Sequence, residues 1–556
     1  MNHFKLRKPY GKSSNVGQTA SQKKDVFVPK DDYREKVREQ SYLGKKGYTI
    51  PKSVLLKEDE EYLKKELFVK PMTFGANYGP AAAENTAFAV YRENASKLYL
   101  PRFYGIQRYG LPDRTEISEG LDIDVEFTKP LRDYQEEIIK VYMDYINRPL
   151  CTGTEQNGSG GILEVPCGAG KTVMALKIIS LLKKKTLIIV HKEFLMNQWI
   201  DRINEFLPGA KVGKIQGPSF EVEGNDIVIG MVQTLYDKEY PTDAFSAFGL
   251  TIIDEVHRIG SEQFSRTLFK TITANMLGIS ATVNRKDQLT KVLYMFIGEK
   301  IYSKEKDVDD PVTVRAIHYT ANDTEFNEVE HDFRGNAKYS TMITKLCDFG
   351  PRSDFIVRVI QDLIKEDEEK QIMILCHNRS LLGYLHSAIN HKGFATVGYY
   401  VGGMKQKDLQ TTEEKQIVLA TYAMAAEALD IKTLSTLVMV TPKTDITQSV
   451  GRILRAKHEN PVIVDIVDAH DLFKKQWAQR RRYYKKCNYR IREIESSKYG
   501  GMSLDWHQDK TWKLVYEPTN KTAVCQVSSD EDTDTNPQSS NQSSKCLIDL
   551  SGLDDV

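Results

Sequence analysis

Residues 165–172, VPCGAGKT, lie between a short apolar run and a segment whose apolar residues recur with helical spacing. Gly168 and Gly170 permit a tight turn with inward-facing backbone N–H groups, and the following helix presents its positive N-terminus. Lys171 adds a mobile ammonium group, and the Thr172 hydroxyl could reach Mg²⁺. The pattern predicts a loop that binds nucleotide phosphates, although Val165 occupies a position where the general pattern has glycine. The alternative is an ordinary turn from a strand to a helix.

Two consecutive carboxylates, Asp254 and Glu255, follow the apolar run LTII. The carboxyl ends of parallel strands meet at one edge of a sheet, so we expect both residues to lie beside the phosphate turn. Burying two carboxylates without a cation would destabilise the fold, and Mg²⁺ supplies that charge. We expect Asp254 to hold Mg²⁺ through water, and Glu255 to orient and deprotonate the water that attacks the γ-phosphate of a bound nucleotide.

A third segment, TQSVGRILRAK, places Arg452 and Arg455 on one face if it is helical, with Gln448 one turn earlier. Two arginines so arranged can meet the γ-phosphate from the far side of a cleft and stabilise its developing charge. The alternative is a basic helix face that pairs with neighbouring acids.

The elements that would position these residues form a repeated theme from residue 129 onward. Helical segments alternate with short β-branched runs, which are typical of strands buried on both faces of a parallel sheet. The runs are TLIIVH, DIVIGM, LTIIDEVH and MLGISAT, and then QIMILCH, ATVGYYV, QIVLATY, TLVMVT and PVIVDIV. The sequence therefore predicts an α/β protein with two tandem domains.

The ends of the chain differ in composition from this repeat. The runs TAFAVYRE and KLYLPRFYGI predict a β-hairpin in a small N-terminal domain. The basic start and the acidic, Ser-rich end predict disorder, with the start acting either as a basic arm or as a solvated tail. The expected boundaries are 1–60 (basic arm and linker), 61–128 (small N-terminal domain), 129–315 (first α/β domain), 316–352 (linker), 353–498 (second α/β domain) and 499–556 (tail).

Composition limits where the protein works. The formal net charge is only +1, so a polyanionic partner must be bound through local charge. The seven cysteines include no CxxC pair, which disfavours a disulfide framework or a thiolate zinc site. No apolar run approaches the roughly 20 residues that a membrane span needs. We expect a soluble protein of a reducing, intracellular compartment that does not bind membranes.

Residues 474–498 combine ten basic residues with four aromatic rings, those of Trp477, Tyr483, Tyr484 and Tyr489. A positive face beside stacking rings suits a groove for a polynucleotide. The same spacing could instead pack the rings on the sheet as the last helix of the second domain.

In combination, these segments resemble a superfamily 2 helicase over residues 129 to 490. LRDYQ resembles the adenine-recognition motif of the family, in which Gln135 would recognise the adenine. VHKEFLMNQW resembles the family motif that follows the phosphate-binding motif. VQTL resembles the next motif, which contacts nucleic acid. The similarity extends to DEVH, SAT, ILCHN, LATYAMAAEALDI and QSVGRILR, in the order of the family. DEVH, SATVNRKD and FIGEKIY are most similar to the XPB-type DNA helicases and their relatives in large cytoplasmic DNA viruses, including the poxviral transcript-release type.

The resemblance implies two tandem RecA-like domains with parallel sheets, ATP and Mg²⁺ as cofactors, and a role for each matched residue. It implies catalytic residues Lys171, Asp254, Glu255, Gln448, Arg452 and Arg455, with Thr172 and Asp254 holding Mg²⁺. The implied ATP-binding residues are Arg132, Gln135, Val165, Pro166, Cys167, Gly168, Ala169, Gly170, Lys171, Thr172 and Asp430. Nucleic-acid contacts are implied for Thr234, Arg285 and Thr421, and coupling between the two sites for His257, Ser280 and Thr282.

Two segments depart from the family pattern. Arg285, Lys286 and Asp287 stand where the XPB type has Arg-Glu-Asp, so the central acid has become a base. This change weakens the case for duplex opening by that element. Ala428 replaces a glycine before Leu429 and Asp430, which is a mild change.

The resemblance implies an ATP-driven helicase or translocase on DNA, acting in viral transcription (elongation, termination or transcript release) or in repair. An RNA helicase is one alternative, and an assembly factor that uses ATP only as a switch is another. RNA polymerase or other transcription proteins are candidate partners through the N-terminal domain or the acidic tail. If the source is a virus, the resemblance implies the host cytoplasm, and packaging in the virion is also compatible with it.

Overall fold

The computed structural model of the 556-residue chain describes a large part of the sequence. The described residues are 27–71, 87–148, 159–166, 168–241, 243–256, 262–281, 283, 289–303, 312–333, 335–427, 431, 433–451, 458, 460–501 and 511–518. Within these ranges, none of the helices combines the length and the apolar character needed to cross a bilayer.

A parallel sheet with helices on both faces forms the first α/β domain. Its strands are β7 (Gly160–Glu164), β8 (Thr186–Val190), β9 (Val212–Gln216), β10 (Ser219–Phe220), β11 (Ile227–Met231), β12 (Leu250–Asp254), β13 (Asn275–Ser280) and β14 (Lys300–Ser303). Its helices are α4 (Asp133–Ile146), α5 (Lys171–Leu182), α6 (Glu193–Phe206), α7 (Val232–Asp237), α8 (Glu262–Lys270) and α9 (Thr290–Ile297). In the described part of the chain the strand order is β10-β9-β11-β8-β12-β13-β7-β14, and only β10 runs antiparallel to its neighbour.

The apolar strands of this sheet are buried on both faces, as their sequences predict. Leu187 and Ile189 point into one core cluster, whereas Ile188 and Val190 point into the other. Burial on both sides leaves the strand ends as the places where polar side chains can reach solvent. We therefore expect the candidate functional residues in the loops at one edge of the sheet.

The second α/β domain repeats this plan. Its strands are β15 (Thr313–Tyr319), β16 (Gln371–Cys376), β17 (Val397–Tyr400), β18 (Ile417–Thr421), β19 (Leu434–Met439), β20 (Val462–Asp468), β21 (Arg490–Glu495) and β22 (Lys513–Tyr516). Its helices are α10 (Thr324–Asn327), α11 (Tyr339–Asp348), α12 (Gly350–Glu366), α13 (Arg379–Lys392), α14 (Gln406–Glu413), α15 (Tyr422–Glu427), α16 (Thr447–Val450) and α17 (Asp471–Lys486). Among the described residues the order is β17-β18-β16-β19-β20-β15-β21-β22. The prediction of two tandem α/β domains with parallel sheets is confirmed.

Strand β15 lies across the boundary expected at residues 315 and 316. It pairs in parallel with β20 and β21, so part of the expected linker forms an inner strand of the second sheet. The sequence did not predict this strand, because its charged and polar residues interrupt the apolar run that marks the other buried strands. Arg315 forms a two-point ion pair with Glu366 at 2.7 and 2.8 Å, and His318 Nε2 lies 3.1 Å from Glu493 Oε2.

Helix α17 shows that the rings of the basic segment pack in the interior. Trp477 and Tyr484 are buried against the second sheet. Tyr489, after the end of the helix, is buried in the same core cluster. Arg480 of this helix is also buried, where its guanidinium contacts both carboxylate oxygens of Asp465 at 2.7 and 2.8 Å. The structure thus favours the packing alternative for these rings.

The N-terminal region forms a small antiparallel sheet that shares its core with the first α/β domain. Its elements are α1 (Asp31–Gln40), β1 (Tyr42–Gly44), β2 (Gly47–Pro51), α2 (Lys57–Glu66), β3 (Phe68–Val69), β4 (Phe88–Ala89), β5 (Arg92–Glu93), β6 (Lys97–Leu100) and α3 (Arg102–Tyr109). Strands β5 and β6 form the expected hairpin, but the second run turns into helix α3 after Pro101. Strands on both sides of the boundary expected at residues 60 and 61 belong to this sheet.

Candidate active site

The phosphate turn connects β7 to α5 and is held by its neighbours. Val165 N donates a hydrogen bond to Ser280 O at 2.9 Å, which ties the start of the turn to the end of β13. Gly168 and Gly170 have φ values of 83° and 81°, in the left-handed region that favours glycine. Helix α5 begins at Lys171 directly after Gly170, so the backbone N–H groups of its first turn lie next to the phosphate turn.

The start of α4 supports the turn from behind. Gln135 Nε2 donates to Ala169 O at 3.0 Å, and Gln135 Oε1 accepts from Arg132 N at 3.0 Å. The Tyr134 hydroxyl also donates to Ala169 O, at 3.2 Å. The structure therefore brings Arg132 and Gln135 to the phosphate turn, where the Gln135 amide contacts protein backbone. The sequence did not single out Tyr134, because its hydroxyl contact is made across the fold.

Asp254 and Glu255 follow β12 at the same edge of the sheet. Glu255 Oε1 lies 3.4 Å from Lys171 Nζ, so the turn and the acidic pair meet as predicted. Glu255 has a φ of 51°, an unfavourable left-handed conformation for a residue with a side chain. Its backbone N–H donates to Asp254 Oδ1 at 2.8 Å.

The Asp254 carboxylate is buried beneath this edge. Trp199 Nε1 donates to Asp254 Oδ2 at 2.9 Å, and both side chains are almost inaccessible to solvent. Burial raises the pKa of Asp254, and the charge of Glu255 raises it further, against the opposing effect of Lys171. A cation at this carboxylate would relieve both unfavourable effects.

A further carboxylate, Glu164 at the end of β7, anchors the segment after Ser280. It accepts from Val283 N at 2.7 Å, from Lys300 Nζ at 2.7 Å and from Ser303 Oγ at 2.6 Å. Ser280 itself is buried at the end of β13. Sequence reasoning missed Glu164, and no local motif marks it because its partners come from distant segments.

The two threonines expected to contact nucleic acid lie at or shortly after the carboxyl ends of strands, one in each α/β domain. Thr234 lies in α7 after β11, where its hydroxyl accepts from Gly217 N at 3.1 Å. Thr421 is the last residue of β18 and is half-buried. The structure thus gives each domain one threonine at a sheet edge.

Most of the other predicted catalytic, nucleic-acid-binding and coupling residues lie in segments that the structure does not describe. Cys167, His257, Thr282, Arg285, Asp430, Arg452 and Arg455 lie outside the described residues. Gln448 lies in α16, but its side chain is not described. The described side chains of the candidate site are therefore mainly those of the first domain.

The amino-acid sequence matches known protein families over both α/β domains. Residues 128–285 match the family model Type III restriction enzyme, res subunit, and residues 356–457 match the Helicase conserved C-terminal domain. An Acanthamoeba polyphaga mimivirus protein, provisionally named ATP-dependent RNA helicase L396, is 35% identical over 476 residues, or 84% of this chain and 89% of that protein.

Two further similarities are more distant. The DNA 3'-5' translocase XPB2 of Sulfurisphaera tokodaii is 29% identical over 247 residues, which are 43% of this chain and 50% of that protein. The structure of S. cerevisiae Dbp5 bound to RNA and ADP BeF3 has a TM-score of 0.46 and 13% identity, and covers 66% of this chain and 91% of Dbp5. With both family models matched in this order and a relative at 35% identity along most of its length, the chain belongs to the superfamily 2 helicases, a family of ATP-hydrolysing enzymes.

Proposed function

We propose that this protein hydrolyses ATP in response to nucleic acid and uses the energy to move along DNA. The observation that carries the proposal is the 3.4 Å contact between Lys171 Nζ and Glu255 Oε1, beside the buried Asp254. It brings a phosphate-binding turn and a candidate general base together at one sheet edge. Such a site can bind a triphosphate and activate a water molecule against it.

Each candidate site residue of the first domain would have a role in ATP hydrolysis. The N–H groups after Gly168 and at the start of α5 would bind phosphate oxygens, and Lys171 would hold the outer phosphates. Their larger negative charge would draw the ammonium group away from Glu255. The Glu255 carboxylate would then accept the proton of the attacking water.

The residues of this site fit a magnesium ion by their donor chemistry. Asp254 offers a carboxylate and Thr172 a hydroxyl at the first turn of α5, and magnesium in such sites takes one or two carboxylates together with substrate phosphates. When bound, the ion would neutralise charge that develops on the phosphates. The raised pKa of the Asp254 carboxyl supports this fit, since a nearby cation favours its charged form.

The second domain would complete the site. We assign Arg452 and Arg455, with Gln448, to the far side of the γ-phosphate, so that ATP binding favours closure of the cleft and hydrolysis releases it. Thr234 and Thr421 would hold the backbone of one strand, and each closure would move one grip relative to the other. Contacts of this kind carry little base specificity, as movement along any sequence requires.

DNA is the proposed substrate, and RNA is the second candidate. The XPB-like features and the translocase name of the Sulfurisphaera tokodaii relative support DNA, whereas the name of the mimivirus relative supports RNA. We further propose a viral role in transcription or repair, with RNA polymerase or another transcription protein as partner. The mimivirus relative supports the viral setting.

The test is ATP hydrolysis with single-stranded DNA, duplex DNA and RNA in turn. We expect DNA to stimulate the wild-type enzyme, and Lys171→Ala to abolish turnover while nucleic-acid binding is retained. Lys183→Ala is the matched control, because Lys183 follows the same helix and is 62% exposed. Stimulation by RNA alone would refute the DNA assignment, and absence of hydrolysis with every polynucleotide would favour an ATP-switched assembly factor.

A further inference from the structure

Trp199 connects helix α6 to the acidic pair. It lies in the middle of that helix and is buried in the core between α4, α5 and the first sheet. A buried indole N–H group usually donates a hydrogen bond. A backbone carbonyl or a neutral side chain would be enough to accept it, so a charged acceptor is not required. In this protein the partner is Asp254 Oδ2, at 2.9 Å.

This bond fixes the orientation of the Asp254 carboxylate. Its Oδ1 accepts from Glu255 N at 2.8 Å, and its Oδ2 accepts from the indole. The two donors lie on different segments, so rotation about the side-chain bonds would break one of them. Groups that orient a ligand in this way typically change metal affinity by about 10- to 100-fold when they are removed.

Helix α6 also contacts the second domain. Phe194, in its first turn, packs against the core cluster of the first domain and against a core cluster of the second. Trp199 is five positions after Phe194, which corresponds to about 7.5 Å along a helix. A displacement of the second domain against Phe194 would therefore be transmitted to the indole through one rigid element.

We propose that Trp199 is a positioning residue that aims the Asp254 carboxylate at the magnesium of Mg·ATP, and that α6 makes this orientation sensitive to the second domain. This inference rests on the proposed ATPase function. It extends that function to a residue that does not touch the nucleotide. The competing explanation is that Trp199 only fills the core.

Trp199→Phe separates the two explanations, because it keeps a large ring and removes the N–H donor. The matched control is Tyr142→Phe, which removes a buried hydroxyl that donates to Met276 O at 3.0 Å in the same domain. Affinity for a fluorescent ATP analogue is measured with Mg²⁺ and with EDTA. We expect Trp199→Phe to lose about 10-fold or more with Mg²⁺ and little with EDTA, and Tyr142→Phe to follow the wild type in both.

Two results would overturn the inference. One is wild-type affinity of Trp199→Phe with Mg²⁺, and the other is an equal loss with and without Mg²⁺, which would indicate general damage to packing. A further readout is the ratio of DNA-stimulated to basal hydrolysis. A lower ratio in Trp199→Phe supports the link through α6, and an unchanged ratio refutes it.

The proposed function and this inference fail in different ways. An inactive wild-type enzyme contradicts the function, whereas an active wild type with a normal Trp199→Phe variant contradicts only the inference. If Trp199→Phe does not fold, tryptophan emission of the wild type and of Asp254→Asn replaces it. We expect Mg·nucleotide, but not nucleotide in EDTA, to shift the emission of the wild type alone, and no shift in the wild type would overturn the inference.

Discussion

Substitution of Gly170 by alanine tests how the phosphate turn is held. Two effects add. The φ of 81° would place alanine in the left-handed region, at a cost of about 1–2 kcal/mol. An added Cβ would also lie 2.3 Å from Gln135 Nε2, so the Gln135 amide would have to move.

The displaced amide gives up its two bonds, to Ala169 O and from Arg132 N, which are worth about 1 kcal/mol each. The sum is about 3–4 kcal/mol against the turn conformation that binds phosphate. If that conformation becomes rarer in proportion, the apparent affinity for ATP falls roughly 100- to 1000-fold.

A double-mutant cycle with Gln135→Ala isolates the steric contribution. In the Gln135→Ala background the bonds are already absent, so Gly170→Ala should cost only the backbone strain, about 10-fold in affinity. The measurement is titration with a fluorescent ATP analogue for the four proteins. Equal effects of Gly170→Ala in both backgrounds would refute the steric argument, and wild-type affinity of Gly170→Ala would refute the whole account of the turn.

Three further predictions follow from contacts in the structure. Glu255→Gln should lower kcat at least 100-fold while ATP affinity stays within a few-fold of the wild type, because a general base acts on the water and not on the nucleotide; steady-state hydrolysis and equilibrium titration test this, and a normal kcat would contradict it. Arg480→Met should destabilise the protein by about 3–5 kcal/mol, since it leaves Asp465 charged and buried without its guanidinium partner; urea denaturation measures the loss, and Arg480→Met/Asp465→Leu should recover part of it. Burial raises the pKa of Glu164, but bonds from Lys300, Ser303 and Val283 outweigh it and leave the pKa lowered. Its contribution to stability is therefore present above the unfolded pKa near 4.3 and is lost as pH falls through the lower folded value. The stability difference between wild type and Glu164→Gln should be constant from pH 8 to pH 6 and shrink below about pH 4, and a difference that grows on acidification would show the opposite sign.

The sequence predicted the parallel strands well, because burial on both faces demands continuous apolar runs such as TLIIV and QIMILC. It failed at β15, where Arg315 and His318 stay in the strand by pairing with Glu366 and Glu493. Those partners lie far away in sequence, so a local pattern could not identify them. It also extended the N-terminal hairpin into a run that forms helix α3.

The proximity of the candidate site residues was predicted as far as their motifs are local. Lys171 and Glu255 meet as expected, because the carboxyl ends of β7 and β12 lie at one edge of the sheet. The contacts of Tyr134, Trp199 and Glu164 were not predicted. Each contact is made across the fold, and a tryptophan or tyrosine at helical spacing is typical of an ordinary core position.

The core shared by the N-terminal region and the first α/β domain bears on how this enzyme can be dissected. The matched restriction-enzyme model begins at residue 128, yet Tyr48, Leu98 and Ile106 belong to the same apolar cluster as Leu187 and Val228. The Arg102 guanidinium of the N-terminal region also donates a hydrogen bond to Thr273 O of the first α/β domain, at 2.9 Å. A recombinant fragment cut at residue 128 would expose to water the part of this cluster that the N-terminal region covers, so a stable fragment of the first domain must also include the N-terminal sheet.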